Sequence, residues 1–337
     1  MLRTFLLLVV LATVASAEPL RVCATTPDLG NLTSEIGGDE VAVTVFARGP
    51  EDPHFVEAKP SFVKSLSDAQ LLVVSGLDLE IGYLPPLLNG ARNADVMPGG
   101  HGYLDAATAI TPMAVPTGVI DRSMGDIHPF GNPHYLTDPL NGLLVAALLR
   151  DTLTGLRPAA RDTFATRYDD FRARLGARLV SEPLAAKYEF EKLATLFELG
   201  KLESFLASQP GAPALGGWLG AMQPYHGAKA VDDHPLWPYF ARRFAIDIVG
   251  DMEPKPGIPP TTRHLGELVG LMKDQNVKLI LASAYYDPRH ARFLAEQTGA
   301  RVAAMASQVG ARDGTSTYLD MVDYNVRQVT AALAGAK

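Results

Sequence analysis

The sequence has 337 residues, of which 47% are hydrophobic and 20% are charged. This composition excludes a disordered chain and predicts either one large domain or two domains of ordinary size. The 37 acidic and 30 basic residues give a formal net charge of −7, which excludes a protein that binds nucleic acid through general charge attraction.

The first residues, MLRTFLLLVVLATVASAEPL, have the pattern of a secretory signal. Arg3 supplies the basic start, and the apolar run 5–14 is shorter than the roughly 20 residues that a membrane-spanning helix needs. Ala15-Ser16-Ala17 fits a signal-peptidase site. We therefore predict a signal peptide over 1–17 and an exported, periplasmic chain that begins at Glu18.

Cys23 is the only cysteine, so an internal disulfide and a cysteine-built zinc cluster are both excluded. Arg21 and Val22 precede it, where lipoprotein signals carry small residues. We therefore favour a buried thiol in the first strand over a lipid anchor.

Strand and helix patterns alternate in both halves of the chain. The apolar segments predicted as strands are 20–26, 41–46, 70–76 and the short ADVMPG in the first half, and 229–233, 246–251, 278–283 and 301–305 in the second. Helical patterns separate them, which predicts an α/β protein with two parallel sheets covered by helices. Neither half has a G-x-G-x-x-G motif or a P-loop after its first strand, so nucleotide binding is unsupported.

A helical region separates the two halves. Phe164, Tyr168, Phe171 and Leu175 follow a helical spacing over part of the region from about 140 to 180. Before it, residues 99–133 are rich in Gly, Pro and Thr and are predicted to form a long loop. The predicted organisation is an N-terminal lobe over 18–139, a linking helical segment over 140–182 and a C-terminal lobe over 183–337. Residues 183–228 resemble an insertion, and we assign them a packing role by default.

His54, His134 and His234 lie on loops after predicted strands or between the halves, and each stands beside a proline. Proline fixes its own backbone angle, so it gives a neighbouring histidine a rigid mount. Imidazole is the commonest protein ligand of zinc. The positions alone are compatible with a metal site and with ordinary packed turns. Asp232 and Asp233 precede a predicted helix, where we favour helix capping over an orienting hydrogen bond to an imidazole.

Several longer motifs resemble one family. DPHFVEAKPS, GNPHYLTDP and HPLWPYFARRF each contain one of the three histidines, and MEPKPGIPP and TYLDMVDYNV follow in the same order as in that family. The chain resembles the solute-binding proteins of zinc- and manganese-uptake ABC transporters, of the zinc type, over essentially its whole mature length.

The resemblance implies a fold, a site and partners. It implies two α/β lobes joined by a long rigid helix, with the metal ion in the cleft between them and His54, His134 and His234 as ligands. It implies a monomer without catalytic activity that hands its cargo to a membrane permease. A periplasmic metallochaperone is a second partner compatible with this role.

The fourth ligand departs from the family pattern. The family usually supplies an aspartate before the last helix, whereas this chain has Ser307 in ASQVG. We predict Asp313, six residues later, as the fourth ligand, with water as an alternative. His128 is near enough to His134 in sequence to contribute, although its segment also suits a shaped loop.

Three imidazoles favour zinc over manganese, because manganese prefers oxygen ligands. Manganese-binding members of the family tend to have a carboxylate where this chain has His234. Three alternatives stay open: a manganese-binding protein, an adhesin of the same fold, and a zinc hydrolase with Glu57, Asp138 or Asp233 as general base. No catalytic signature supports the hydrolase.

Overall fold

The computed structural model describes residues 18–118, 128–253 and 258–335. The predicted signal peptide, 1–17, lies outside them. Within these three ranges, every helix is too short or too polar to cross a membrane.

The first lobe is a parallel four-stranded sheet with helices on both faces. Its strands are β1 (Leu20–Ala24), β2 (Val41–Val45), β3 (Leu71–Val74) and β4 (Tyr103–Asp105), in the order β2-β1-β3-β4. Its helices are α1 (Pro27–Gly37), α2 (Pro60–Asp68) and α3 (Leu84–Ala91). Every residue of β3 is buried, as expected for a strand that is covered on both faces.

The second lobe repeats this topology. Its strands are β5 (Ala228–Asp232), β6 (Ile246–Asp251), β7 (Leu279–Ala282) and β8 (Arg301–Ala304), in the order β6-β5-β7-β8. Its helices are α10 (Pro238–Phe244), α11 (Thr262–Asp274), α12 (Pro288–Thr298) and α13 (Tyr318–Ala334). All strand pairs in both sheets are parallel, so the predicted fold class is confirmed.

The segment between the sheets is entirely helical apart from short connections. It comprises α4 (Pro139–Leu156), α5 (Arg161–Val180), α6 (Glu182–Lys187), α7 (Phe190–Glu198), α8 (Leu202–Ala207) and α9 (Gly217–Met222). Helix α5 packs against α1 of the first lobe and against α9 beside the second, and its 20 residues span about 30 Å. This helix is therefore the rigid connection between the lobes, with α4 packed alongside it.

Two local predictions differ from the structure. The segment ADVMPG is not a strand, because Asn93 accepts a hydrogen bond from the Asp95 backbone and starts a 3-10 turn over Ala94–Val96. The fourth strand is Tyr103–Asp105, which lies inside the predicted loop 99–133. The prolines after Leu84 lie in the first turn of α3, where proline is well tolerated.

The hydrophobic core runs through both lobes. Val22 and Ala24 on β1 face a cluster that continues through α4 and α5 to the inner face of the second sheet. Cys23 points to the other face, into a separate cluster under α2 and α3. Its side chain is 2% exposed, and burial raises the pKa of its thiol to about 12. The predicted buried thiol is confirmed.

The lobes also contact each other directly, beside the cleft. Gln308, after β8, donates from its amide nitrogen to the backbone carbonyls of Arg48, Gly49 and Glu51, at 3.0, 3.0 and 2.6 Å. A Cβ on Gly49 would lie 2.2 Å from the carbonyl carbon of Gly310, so the two loops meet at backbone distance. The loop after β2 is thus fastened to the second lobe.

We expect Gln308→Ala to lower the free energy of unfolding by about 1–3 kcal/mol, because it removes a buried amide that donates to three part-buried carbonyls of the other lobe. Urea denaturation of the metal-free protein measures this. The matched control is Gln275→Ala, since Gln275 is exposed and its side chain bonds only to Lys229 among the described residues. Equal midpoints for the two variants would show that the Gln308 amide does not hold the lobes together.

Candidate metal site

The candidate site lies where the carboxyl ends of the two sheets approach each other. His54 is on the loop after β2, and His234 directly follows β5 and Asp233. Tyr286 follows β7, and Ser307 follows β8. In parallel sheets the crevice at the carboxyl ends of the strands is where ligands bind.

Four histidine rings gather there. The ring centroids of His54 and His134 are 5.3 Å apart, and those of His134 and His234 are 6.1 Å apart. The ring of His128 lies 5.1 Å from that of His54. The structure therefore brings the three predicted histidines together and adds a fourth.

Asp52 fixes the orientation of His54. Its Oδ1 accepts a hydrogen bond from the His54 backbone nitrogen at 3.0 Å and from the ring Nδ1 at 2.7 Å. A carboxylate on one ring nitrogen of a histidine directs the other nitrogen, with its lone pair, toward a metal ion. The acidic residue before Pro53 is thus an orienting group.

The loop that carries His134 is bonded to the loop that carries His234. Asn132 Oδ1 accepts from the backbone nitrogen of His134 at 2.9 Å, and Asn132 Nδ2 donates to the Pro235 carbonyl at 2.5 Å. The Tyr239 hydroxyl donates to the Asn132 carbonyl at 2.8 Å. These bonds set the position of one histidine loop relative to the other.

A buried ion pair reinforces that connection. Asp138 is fully buried and accepts two hydrogen bonds from Arg243, at 2.8 and 2.9 Å. Arg243 also pairs with Glu198 at 2.5 Å, and Asp138 caps α4 through the backbone nitrogen of Leu140. Asp138 follows His134 closely, and Arg243 lies on the helix after His234, so the pair holds both histidine segments.

His234 is 4% exposed and packs against the ring of Tyr286, at 5.6 Å between centroids. The predicted capping role of the preceding aspartates is wrong, since α10 begins only at Pro238 and has no side-chain cap. Asp232 is the last residue of β5. Asp233 instead accepts bonds from the Ser283 backbone nitrogen and hydroxyl, at 2.5 and 2.8 Å, across the edge of the sheet.

The site favours neutral imidazoles. Burial lowers the pKa of His128 to about 4 and that of His234 to about 3, with a further lowering from the neighbouring His54 in each case. Burial also holds the pKa of His134 well below its ordinary value, with additional contributions from the other three rings. Neutral imidazole is the form that binds a metal ion.

Some covered polar atoms at the site lack partners. His134 Nε2, His234 Nδ1 and Ser307 Oγ have no hydrogen bond to any described residue. Buried polar atoms are normally satisfied, so unpaired imidazole nitrogens facing a shared cleft fit a cation that binds there. Across residues 18–118, 128–253 and 258–335, no three His, Cys, Asp or Glu side chains are already positioned to coordinate one metal ion. Metal binding therefore requires side-chain adjustments.

Asp313 is exposed on a turn between Arg312 and Thr315. In the described part of the chain, no hydrogen bond or ion pair links it to the four rings. The hydroxyl of Ser307 is buried and has no hydrogen bond to any described residue. The structure therefore leaves Asp313 as an untested prediction for the fourth ligand.

Sequence reasoning did not assign roles to Asp52, Asn132 or Tyr286. Asp52 and Asn132 each lie two residues before a histidine and bond to its backbone nitrogen. That spacing, Asx-Pro-His, is a local signal that was available in the sequence. The contact of Tyr286 with His234 joins two strand ends and has no comparable local signal.

Comparisons with known proteins bear on this site. Residues 22–179 and 220–332 match the family described as ZnuA, zinc-uptake complex component A, periplasmic. The manganese-binding lipoprotein MntA of Halalkalibacterium halodurans is 21% identical over 320 residues, 94% of this chain and 89% of that protein.

Solved structures show the same architecture. A crystal structure of ZnuA superposes with a TM-score of 0.63 and 21% identity, over 94% of this chain and 98% of that one. A mutant laminin-binding adhesin (Lmb) of Streptococcus agalactiae gives 0.64 and 22%, over 93% and 99% of the two chains. At these identities the likeness shows a common two-lobe fold.

Proposed function

The chain belongs to the zinc-uptake complex component A family of periplasmic metal-binding proteins, and we propose that it captures Zn²⁺ in the periplasm and delivers it to an ABC transporter permease. The ion is cargo, and the protein makes or breaks no covalent bond. The observation that carries the proposal is the convergence of His54, His134 and His234 from separate segments, with nitrogen atoms of His134 and His234 covered and unpaired within the described chain.

The donor set supports zinc over manganese. Manganese favours carboxylate, carbonyl and water oxygens, whereas zinc accepts imidazole readily. The Asp52 carboxylate bonds to Nδ1 of His54, so it orients this histidine from the side away from a bound ion. A manganese-binding relative shares the fold but leaves the cargo of this chain open. Copper and nickel also bind imidazole, so the proposal concerns the physiological cargo and not exclusive affinity.

Of the alternatives, a hydrolase has the least support. Two of the three carboxylates considered as general base are engaged elsewhere, Asp138 with Arg243 and Asp233 with Ser283. Glu57 is exposed on the loop after His54. The family is one of solute-binding proteins, which agrees with a role in binding. The likeness to the adhesin Lmb concerns the fold.

The proposal is tested by titrating the metal-free protein, residues 18–337, with Zn²⁺ and with Mn²⁺ against a competing chelator. We expect one zinc ion per chain, bound more tightly than manganese by at least about 100-fold, because the imidazoles offer manganese no anionic oxygen. Tighter binding of manganese, or no tight binding of either ion, would overturn the assignment of the cargo.

The same titration on two variants examines the predicted fourth ligand. If Asp313 closes the site, Asp313→Ala should weaken zinc binding by about 10-fold or more. Ser307→Asp should strengthen it, because it places a carboxylate at the position where the family has one. Unchanged affinity in Asp313→Ala would remove Asp313 from the ligand set and leave the three-histidine proposal intact.

A further inference from the structure

The closest contact among the four rings is between two nitrogen atoms. His54 Nε2 lies 3.0 Å from His128 Nε2, and the rings are nearly stacked, with an angle of 28° between their planes. The chain that follows His128 and Pro129 is held by a hydrogen bond from the Asn132 backbone nitrogen to the Met113 carbonyl, at 2.8 Å.

A hydrogen bond on the far side of His54 decides what its Nε2 carries. His54 Nδ1 lies 2.7 Å from the Asp52 carboxylate, so the neutral ring has its proton on Nδ1. The lone pair of His54 Nε2 therefore faces Nε2 of His128.

The two Nε2 atoms are 3.0 Å apart, so they hold either a proton or a metal cation between them. Asp52 keeps the proton of neutral His54 on the outer nitrogen, so the inner side of the pair has a lone pair that a cation can bind.

The spacing suits zinc. Two nitrogen atoms that bind one tetrahedral zinc ion at about 2.0–2.1 Å are about 3.3 Å apart, and the centroids of their rings are about 5 Å apart. The observed 3.0 Å between His54 Nε2 and His128 Nε2 differs from this by only a few tenths of an ångström. The centroid distances from His54 to His128 and His134, 5.1 and 5.3 Å, also agree.

We propose that His128 is the fourth metal ligand and that the site is a four-histidine shell in which His128 replaces the aspartate usual in the family. Ser307 offers only a neutral hydroxyl, and Asp313 is exposed on its turn. The inference rests on the proposed zinc-binding function and specifies its ligand set. An uncharged shell of four imidazoles also determines specificity, because it gives manganese no anionic oxygen and gives zinc its usual coordination number.

The test combines affinity with a count of ligands. We expect His128→Gln to weaken zinc binding by at least about 100-fold, since loss of a ligand should exceed the 10- to 100-fold typical of an orienting group, and to reduce the ratio of zinc affinity to manganese affinity. X-ray absorption at the zinc edge should show four imidazoles in the wild type and three in His128→Gln. The matched control is His101→Gln, because His101 is exposed, and it should keep four imidazoles and the wild-type affinity.

The outcomes separate this inference from the proposal on which it rests. If His134→Ala abolishes zinc binding while His128→Gln keeps both the affinity and the imidazole count, the role of His128 is wrong and the transport function stands. If three imidazoles and one carboxylate are found in the wild type, Asp313 or another acid is the fourth ligand. If the wild type does not bind zinc, both proposals fail.

Discussion

Replacing His134 with alanine should abolish tight zinc binding while leaving the fold intact. The ring of His134 lies 5.3 Å from that of His54 and 6.1 Å from that of His234 between centroids, so it contacts histidines of both lobes. Changes to groups that only orient a ligand typically cost 10- to 100-fold in affinity, so loss of a ligand itself should cost more than about 100-fold. A chelator-competition titration with zinc measures the effect, and circular dichroism checks the fold.

The fold should survive because the His134 loop is held by hydrogen bonds of other groups and does not depend on the imidazole. Asn132 bonds to the backbone nitrogen of residue 134, and Asp138 bonds to Arg243. The substitution also removes a buried nitrogen, His134 Nε2, that has no hydrogen bond to any described residue. The control is His290→Ala, on α12, with wild-type affinity expected. Similar affinities for His134→Ala and His290→Ala would contradict the site.

The largest loss of stability should come from Asp138→Asn. Asp138 is fully buried and Arg243 is 5% exposed, so the substitution leaves a buried guanidinium without its principal counter-charge. Breaking a buried pair in this way typically costs about 3–5 kcal/mol. Asparagine keeps the size of the side chain and its ability to cap α4. Urea denaturation of the metal-free protein gives the change in the free energy of unfolding.

An exposed ion pair provides the comparison. Asp151 pairs with Arg150 at 2.8 Å, with an aspartate side chain 66% exposed, so Asp151→Asn should cost less than about 1 kcal/mol. The double variant Asp138→Asn with Arg243→Met should lose less than the sum of its single variants, because it removes both charges from the interior. Strict additivity, or equal losses for Asp138→Asn and Asp151→Asn, would show that the buried pair is not the main connection between the histidine segments.

Much of the fold was predictable because its strands are short, continuous apolar runs. Segments such as LLVV in β3 can only be buried, and their alternation with helices predicts a parallel sheet. Tyr103–Asp105 escaped prediction because three residues carry no periodicity, and β4 forms through pairing with β3. Local patterns are weak evidence where the partner strand determines the structure.

The site was predictable in part for a related reason. His54, His134 and His234 are marked by adjacent prolines and by family motifs, and the structure brings them together. Asp233 has the local sequence of a helix cap, but its partner is Ser283, 50 residues away, which no local rule identifies. The contact between His54 and His128 spans 74 residues, so only the folded chain shows it.

The central claim is that the histidines in the cleft bind zinc, and anomalous diffraction from a crystal of the zinc-loaded protein tests it most directly. We predict one strong peak at the zinc edge between the lobes, bonded to His54, His134 and His234 at about 2.0–2.1 Å. A peak that contacts none of these rings, or no peak at stoichiometric zinc, would contradict the account.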